Sequence, residues 1–172
     1  NSYRNLLNFQ ALGLTQTYLE SAEPAPAGSS QRLHSFVQGI DTYGIDASFD
    51  LYGGGGLVST TKDLTTFFRA LFAGRVVNAN SLKLMTQSVS GGGFSETAYT
   101  LGLMPFYLGN HLCYGHEGFA SVVVGHCPSI DYTFVYAAGS DQASGILLPP
   151  NQSLAYDAAA AIGIDVLPKP YR

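Results

Sequence analysis

Residues 112–127 decide the fold, and they read Leu-Cys-Tyr-Gly-His-Glu-Gly-Phe-Ala-Ser-Val-Val-Val-Gly-His-Cys. A short apolar run ends at Gly115-His116-Glu117-Gly118, and a second, β-branched run follows at once. This order is typical of two antiparallel strands with a histidine at the mouth of the hairpin. Glycine on both sides lets a ligand approach the backbone closely, and an imidazole there can face an anion or transfer a proton. The stretch is therefore the candidate functional site.

The residues around this hairpin predict an antiparallel meander that ends in a helix. Apolar and aromatic runs follow one another with only short gaps, which favours neighbouring antiparallel strands. An alanine-rich stretch predicts a helix from Asn151 to Ile162, because Asn151 is a suitable cap and Gly163 ends the pattern. The predicted strands are 99–108, 112–114, 120–126 and 132–138.

The first half of the chain predicts helices and loops. The clearest helix covers residues 61–72, where apolar side chains recur at i, i+3, i+4, i+7 and i+8. Ser59 or Thr60 is its predicted N-cap, and Asp63 lies in the first turn, where the helix dipole favours a carboxylate. Shorter helices are predicted at 3–12 and 81–87.

Helices, then a meander, then a final helix indicate the α+β class. We expect residues 1–172 to form a single domain or a fragment of one. Residues 1–90 would be mainly helix and loop. Residues 91–172 would hold the antiparallel strands and a C-terminal helix that packs on the sheet.

The composition excludes several functional classes. The chain is 46% hydrophobic and 12% charged, which is typical of a globular protein with a core. A net charge of −4 without a lysine or arginine cluster argues against nucleic-acid binding. No apolar run has the length of a membrane-spanning helix. Because the first residues lack a Met and read as a helix interior, we expect the chain to be part of a larger protein.

The two cysteines lie on opposite arms of the predicted hairpin. A turn centred near Gly118 pairs Cys113 with Val123 or Val124, so a disulfide to Cys127 needs another register or a bulge. Two buried free thiols are the favoured interpretation. A zinc site is disfavoured because adjacent strand residues face opposite sides of a sheet. Its ligands would come from His111, Cys113, His116, His126 and Cys127.

Three segments, taken in order, resemble one enzyme family. Residues 11–18, Ala-Leu-Gly-Leu-Thr-Gln-Thr-Tyr, are similar to its proline-leucine-glycine-methionine segment. Residues 55–67 are similar to its glycine-glycine-leucine-x-serine-threonine helix, and residues 114–119 resemble its histidine-x-glycine strand. The family is the class C β-lactamase and D-Ala-D-Ala carboxypeptidase-like serine hydrolases, the penicillin-recognising group. The resemblance covers nearly the whole chain.

The resemblance implies a reaction that this chain would not complete alone. Family members use an S-x-x-K nucleophile, a Y-x-N tyrosine and a K-T-G or H-x-G strand. Only the strand is matched here, so the other two motifs are expected upstream. We therefore expect the C-terminal portion of a serine hydrolase, inactive by itself, because an acyl transfer without its nucleophile cannot start.

The resemblance also assigns roles at the strand end. His116 takes the place of the strand lysine, orienting the substrate carboxylate or acyl oxygen and helping the proton relay. Gly118 keeps the strand edge open, and the backbone N–H of Phe119 is the expected oxyanion donor. Glu117 replaces the family threonine and would repel an anionic substrate, which favours an esterase, amidase or peptidase over a β-lactamase proper.

Two short strings imitate the missing motifs. Ser59-Thr-Thr-Lys62 satisfies S-x-x-K at a helix start, but it falls inside the capped helix, where Lys62 is expected to face solvent. Tyr3-Arg-Asn5 satisfies Y-x-N, but three-letter patterns are common, and Tyr3 fits the apolar face of the first helix. We interpret Ser59, Lys62 and Tyr3 as decoys.

The expected partner is a small-molecule or peptide substrate, reached through the parent enzyme, with no cofactor and no nucleic acid. The resemblance favours a periplasmic or secreted protein. Since the family completes its sheet with upstream strands, an exposed sheet edge predicts self-association. Two alternatives remain open. One is a non-catalytic binding or accessory domain of the same fold, and the other is a metal-binding domain that uses Cys113, His116 and His126.

Overall fold

The computed structural model describes residues 2–46, 48, 51, 54–87, 99–118, 121–141 and 154–165. Helices and strands occur together, which confirms the α+β class. The helices are α1 Ser2–Leu6, α2 Phe9–Leu12, α3 Thr61–Phe72, α4 Ala79–Met85 and α5 Leu154–Ala161. The strands are β1 Tyr18–Leu19, β2 Phe36–Val37, β3 Ile40–Asp41, β4 Leu57–Val58, β5 Met104–Leu108, β6 His111–Gly118, β7 Val122–Cys127 and β8 Tyr132–Ala137.

The main sheet is the predicted meander, with strand order β5-β6-β7-β8 and antiparallel pairing throughout. The bounds of β5 and β6 differ most from the prediction. β5 starts at Met104 because Thr100 forms a turn instead, in which its N–H and its hydroxyl both donate to the carbonyl of Leu103. β6 is longer than predicted and runs without interruption to Gly118. The candidate histidine therefore lies within a paired strand.

The two cysteines form a disulfide, so the prediction of two free thiols is wrong. Gly118 is still paired, with Val122, so the prediction of a turn centred near Gly118 is wrong. This register places Cys113 opposite Cys127, with a Cα–Cα distance of 4.1 Å. Residues that face each other on neighbouring antiparallel strands are close enough for a bridge. Because the two sulfur atoms are bonded to each other, neither is available to a metal. This excludes the predicted metal site of Cys113, His116 and His126.

A helix covers each face of the sheet. On one face, α3 contributes Phe68 to a buried cluster with Leu103 and Val124. On the other face, α5 contributes Ala155 and Ala159 to the cluster that contains the disulfide. The packing of α5 on the sheet confirms the prediction for the C-terminal helix. Since side chains alternate along a strand, each residue of β6 and β7 is assigned to one of these two faces.

The helix predictions hold to different degrees. α3 has the predicted bounds, and Thr60 is the N-cap that accepts a hydrogen bond from the Asp63 N–H at 3.1 Å. The predicted first helix is broken at Asn8, whose φ of 56° is left-handed. α4 begins at Ala79 after an Asn78 cap, and the predicted cap Asn151 lies outside the described residues. None of the described helices is both long and apolar enough to cross a membrane.

Two of the family-like segments meet at a buried carboxylate. Asp63 is 5% exposed, and its Oδ2 accepts hydrogen bonds from the Gln16 N–H at 2.9 Å and the Thr17 hydroxyl at 2.8 Å. A buried carboxylate requires such donors because it has left water. The contact fixes the segment of residues 11–18 against the start of α3, and so against the sheet.

Glu23 is predicted to make folding stability depend on pH. Its carboxylate accepts from Arg4 Nε at 2.8 Å, from the Leu19 N–H at 2.8 Å and from the Tyr3 hydroxyl. The hydrogen bond from Arg4 is the main reason that the pKa of Glu23 falls from 4.5 to about 2. A carboxyl with a lowered folded-state pKa stabilises the fold above its unfolded value.

We expect this contribution, about 2 kcal/mol after allowance for partial exposure, to be present above pH 4.5 and lost as the pH falls toward 2. Urea unfolding at pH 6, 4 and 3 measures it. Glu23→Gln should flatten the pH dependence, whereas Asp157→Asn, at an exposed carboxylate of α5, should not. An equal slope in wild type and Glu23→Gln would show that the ion pair does not stabilise the fold.

Candidate functional site

His116 lies near the carboxyl end of β6, on the face of the sheet that α3 covers. It pairs with Val124, which is 8% exposed and belongs to the cluster around Phe68. Tyr114, two residues earlier on the same face, stacks on Phe72 of α3 with ring centroids 5.8 Å apart. The imidazole is therefore the next side chain along a packed face, at the point where that packing opens toward the strand end.

Both ring nitrogens of His116 have partners. Nδ1 is 2.8 Å from the backbone carbonyl oxygen of Glu117, and Nε2 is 2.8 Å from the hydroxyl of Tyr99. A carbonyl oxygen only accepts, so Nδ1 must carry the hydrogen. In the neutral ring Nε2 then has the free lone pair, and the Tyr99 hydroxyl donates to it. The Tyr99 ring also meets the imidazole edge-on, at an interplanar angle of 87°.

The two glycines that flank the histidine have different roles. A Cβ at Gly115 would overlap the carbonyl oxygen of Val124 and lie 3.0 Å from the Cα of Gly125, so close strand packing requires glycine there. Among the described residues, a Cβ at Gly118 would make only ordinary contacts, the nearest at 3.7 Å to the Cβ of Val122. Packing within the described part of the chain therefore does not require glycine at Gly118.

Glu117 and Phe119 are placed less directly. Strand alternation puts the Glu117 side chain on the face opposite His116, the face that carries Cys113. The part of Glu117 that touches the histidine is thus its backbone carbonyl. Phe119, whose N–H is the expected oxyanion donor, lies outside the described residues.

The S-x-x-K string has the geometry of a helix start. The Ser59 hydroxyl is 2.8 Å from the hydroxyl of Thr17, and Ser59 precedes the Thr60 cap, so it lies outside α3. Lys62 is exposed and, within the part of the chain that the structure describes, makes no ion pair. The two side chains are therefore not aligned on one helix face, as a serine activated by a neighbouring amine requires.

The side chain of Tyr3 makes its contacts within the N-terminal segment. Its hydroxyl donates to Glu23, and its ring packs edge-on against Phe9 with centroids 5.7 Å apart. Burial, followed by the hydrogen bond to Glu23, raises the pKa of the Tyr3 phenol. A phenol that is harder to ionise is a poorer base for a serine.

The other histidines make contacts that are typical of structural residues. His126 is 3% exposed, stacks on Phe72 and lies 2.7 Å from the Thr133 hydroxyl, and burial lowers its pKa. His34 pairs with Asp41 at 2.7 Å on the β2–β3 hairpin. His111 begins β6, at the opposite end from His116, with Nδ1 3.0 Å from the Ser129 hydroxyl.

Tyr99 is the site residue that sequence reasoning missed. It lies 17 residues before His116, and the predicted strand 99–108 treated it as an ordinary strand residue. The turn at Thr100 and Leu103 brings Tyr99 next to His116, and no short motif marks that turn in the sequence. The one local indication of the turn in the sequence was the glycine after Leu101, because Gly102 adopts a left-handed φ of 83°.

The fold is shared with solved hydrolases. The sequence profile of the family described as Beta-lactamase matches residues 8–156. The chain is similar to a D-stereospecific amidohydrolase from Streptomyces sp., at 23% identity and a TM-score of 0.65 over 80% of this chain and 43% of that one. A D-amino acid amidase from Ochrobactrum anthropi SV3, complexed with L-phenylalanine amide, is 25% identical with a TM-score of 0.66 over 80% and 43% of the two chains.

A penicillin binding protein from Bacillus halodurans is 18% identical, with a TM-score of 0.61 over 94% of this chain and 48% of that one. At these sequence identities, the similarity is evidence of a shared fold. The chain spans less than half the length of each of these three structures. A comparison with curated protein sequences gave no significant match.

Proposed function

Since the chain belongs to the β-lactamase family of penicillin-recognising serine hydrolases, we propose that it supplies one wall of an acyl-transfer site. The serine nucleophile would lie outside its 172 residues. A protein that carries both parts is called the complete enzyme below. The observation that carries the proposal is the placement of His116, which is partly buried two residues before the exposed Gly118 and has hydrogen-bond partners at both ring nitrogens.

The proposed reaction passes through an acyl-serine. The serine oxygen attacks the substrate carbonyl carbon while a base takes its proton, and the amine or alcohol leaves with a proton. Water then attacks the acyl-serine and releases the acid. With its ring protonated, His116 would donate from Nε2 to the substrate carboxylate or acyl oxygen, and with its ring neutral, Nε2 would accept a proton in the relay. The N–H of Phe119, which directly follows Gly118, would donate to the oxyanion.

Two observations support a nucleophile outside the chain. The chain covers less than half the length of each of the three solved structures described above, so more than half of each of those chains has no counterpart here. The sequence contains one S-x-x-K string, and its Ser59 hydroxyl lies against Thr17 while Lys62 is exposed. We therefore propose that the chain alone is inactive.

For the substrate we propose an amide, an ester or a peptide. The structures most relevant to this choice are named as a D-amino acid amidase and a D-stereospecific amidohydrolase. The absence of a steric need for glycine at Gly118 supports room for a ligand at that point. A D-Ala-D-Ala carboxypeptidase-like specificity remains within this proposal, since such a substrate is also a peptide.

The disulfide supports the proposed compartment. Cys113 and Cys127 are 0% exposed and joined across β6 and β7, and such bridges persist in oxidising compartments. We propose a periplasmic or secreted enzyme. We also propose self-association through an edge of the main sheet, whose outermost strands are β5 and β8.

A non-catalytic binding domain of the same fold is the second candidate. The observation in its favour is that both nitrogens of His116 are already bonded within the chain, as they would be for a structural histidine. In that case the histidine would only hold Tyr99 and the strand end together. An upstream S-x-x-K and Y-x-N in the same gene would argue for the enzyme instead.

Hydrolysis assays of the chain and of the complete enzyme test the proposal. We expect no hydrolysis of a chromogenic ester, a chromogenic cephalosporin or a D-phenylalanine anilide by the chain, and hydrolysis of at least one by the complete enzyme. Ser59→Ala and Lys62→Ala should each leave kcat/KM of the complete enzyme within about twofold, because neither residue belongs to the proposed site. Activity of the chain alone that disappears in Ser59→Ala would contradict the proposal.

A further inference from the structure

We propose that Tyr99 is a positioning residue that, together with the Glu117 carbonyl, fixes the ring orientation of His116 and stabilises its Nδ1–H tautomer. The inference rests on the proposed function for its catalytic meaning, but its geometry stands within the chain. The Tyr99 hydroxyl lies 2.8 Å from Nε2, and the Glu117 carbonyl lies 2.8 Å from Nδ1 on the other side of the ring. Two hydrogen bonds at opposite nitrogens leave the imidazole one orientation in which both are made.

The two partners have unequal chemistry. The carbonyl of Glu117 can only accept, so it favours the two states of the ring that carry a hydrogen on Nδ1. The Tyr99 hydroxyl donates when Nε2 is unprotonated and accepts when Nε2 carries a hydrogen. The same geometry therefore serves both the neutral and the protonated ring, and only the hydroxyl hydrogen has to rotate. A group that takes up and returns a proton at Nε2 would need no movement of heavy atoms.

Tyr99 is itself held by a packed turn. Thr100, the next residue, is 2% exposed, and its N–H and hydroxyl donate to the carbonyl of Leu103 at 2.9 and 3.0 Å. Leu103 is also 2% exposed and packs in the cluster with Phe68 and Val124. Since Val124 pairs with His116, the turn and the histidine are anchored to the same group of buried side chains.

The arrangement has a consequence for substrate binding. A substrate oxygen that reaches Nε2 has to share or replace the Tyr99 hydroxyl, because that hydroxyl already fills the hydrogen-bonding position. In the proposed enzyme, Tyr99 therefore lines the substrate side of the histidine. Loss of the hydroxyl would leave Nε2 without this partner and weaken the preference for the Nδ1–H tautomer, which the Glu117 carbonyl would still favour.

Nitrogen-15 NMR of the labelled chain tests the proposal, at a pH where the imidazole is neutral. His116→Gln identifies the His116 signals by their loss. We expect the Nδ1–H tautomer of His116 in the wild type and, in Tyr99→Phe, a shift of up to about fivefold in the tautomer ratio toward Nε2–H, because a phenol donates more strongly than it accepts and the Nδ1–H tautomer therefore loses the stronger hydrogen bond. Tyr107→Phe, at a tyrosine of β5 that is 63% exposed, is the control and should leave the ratio unchanged.

The outcomes separate this inference from the proposed function. An Nε2–H tautomer in the wild type would overturn it without any variant, as would an equal ratio in wild type and Tyr99→Phe. A shifted ratio in the chain, together with a complete enzyme that hydrolyses nothing, would support the positioning role and reject the proposed enzyme. In an active complete enzyme, Tyr99→Phe should lower kcat more than it alters KM and should change the pH profile of kcat.

Discussion

Replacing His116 by alanine is expected to lower kcat/KM of the complete enzyme by about a thousandfold, the usual scale for loss of a positioned acid–base group. The imidazole is partly buried and carries hydrogen bonds of 2.8 Å at both nitrogens, so its orientation is set before a substrate arrives. Pre-set groups lose little entropy in the transition state, which is why their removal is costly. Steady-state kinetics on the proposed amide or ester substrates measure the effect.

The matched control is His111→Ala. His111 begins the same strand, seven residues before Gly118, and its Nδ1 contacts only the Ser129 hydroxyl among the described residues. We expect it to retain kcat/KM within about twofold, as surface substitutions usually do. Thermal melting should show similar stability for both variants. Retention of more than about a tenth of the activity in a folded His116→Ala enzyme would contradict the assigned role.

Replacing both Cys113 and Cys127 by alanine is expected to lower the free energy of unfolding by about 3 kcal/mol. The bridge closes a loop between residues 14 apart in the chain, which restricts the unfolded ensemble, and both cysteines are 0% exposed in the core under α5. The loop contains the whole of the strand end with His116. Amide exchange of residues 114–118 should therefore also become faster in the double variant.

Urea unfolding with and without a reductant measures the effect and supplies its control. The wild type should lose stability when a strong reductant is added to the unfolding mixture, whereas the double variant should be insensitive to it. Equal unfolding midpoints for oxidised and reduced wild type would show that the two cysteines are not bridged. That result would also remove the support that the bridge gives to an oxidising compartment.

Local patterns in the sequence were sufficient for the elements with strong signals. α3 has its predicted bounds because an apolar stripe, a capping Thr60 and Asp63 in the first turn all agree. The meander was predictable because its strands are short, close in sequence and rich in β-branched residues. What these patterns could not supply was Asp63 as a buried acceptor for Gln16 and Thr17, a contact across 46 or 47 residues.

The details of the site depend on register and on tertiary packing. A shift of the turn beyond Gly118 changed the partner of Cys113 from Val123 or Val124 to Cys127, and no propensity distinguishes these alternatives. Strand alternation, once the register was known, placed the Glu117 side chain away from His116. Tyr99 reaches the histidine through a turn that only tertiary packing defines.

Covalent labelling of the complete enzyme tests the central claim most directly. A fluorophosphonate probe reacts with an activated serine, and peptide mass spectrometry locates the modified residue. We expect one label on a serine outside residues 1–172, none on the isolated chain, and much slower labelling in His116→Ala. A label on Ser59, or labelling that is unchanged in His116→Ala, would contradict the claim that this chain supplies the histidine wall of a serine-hydrolase site.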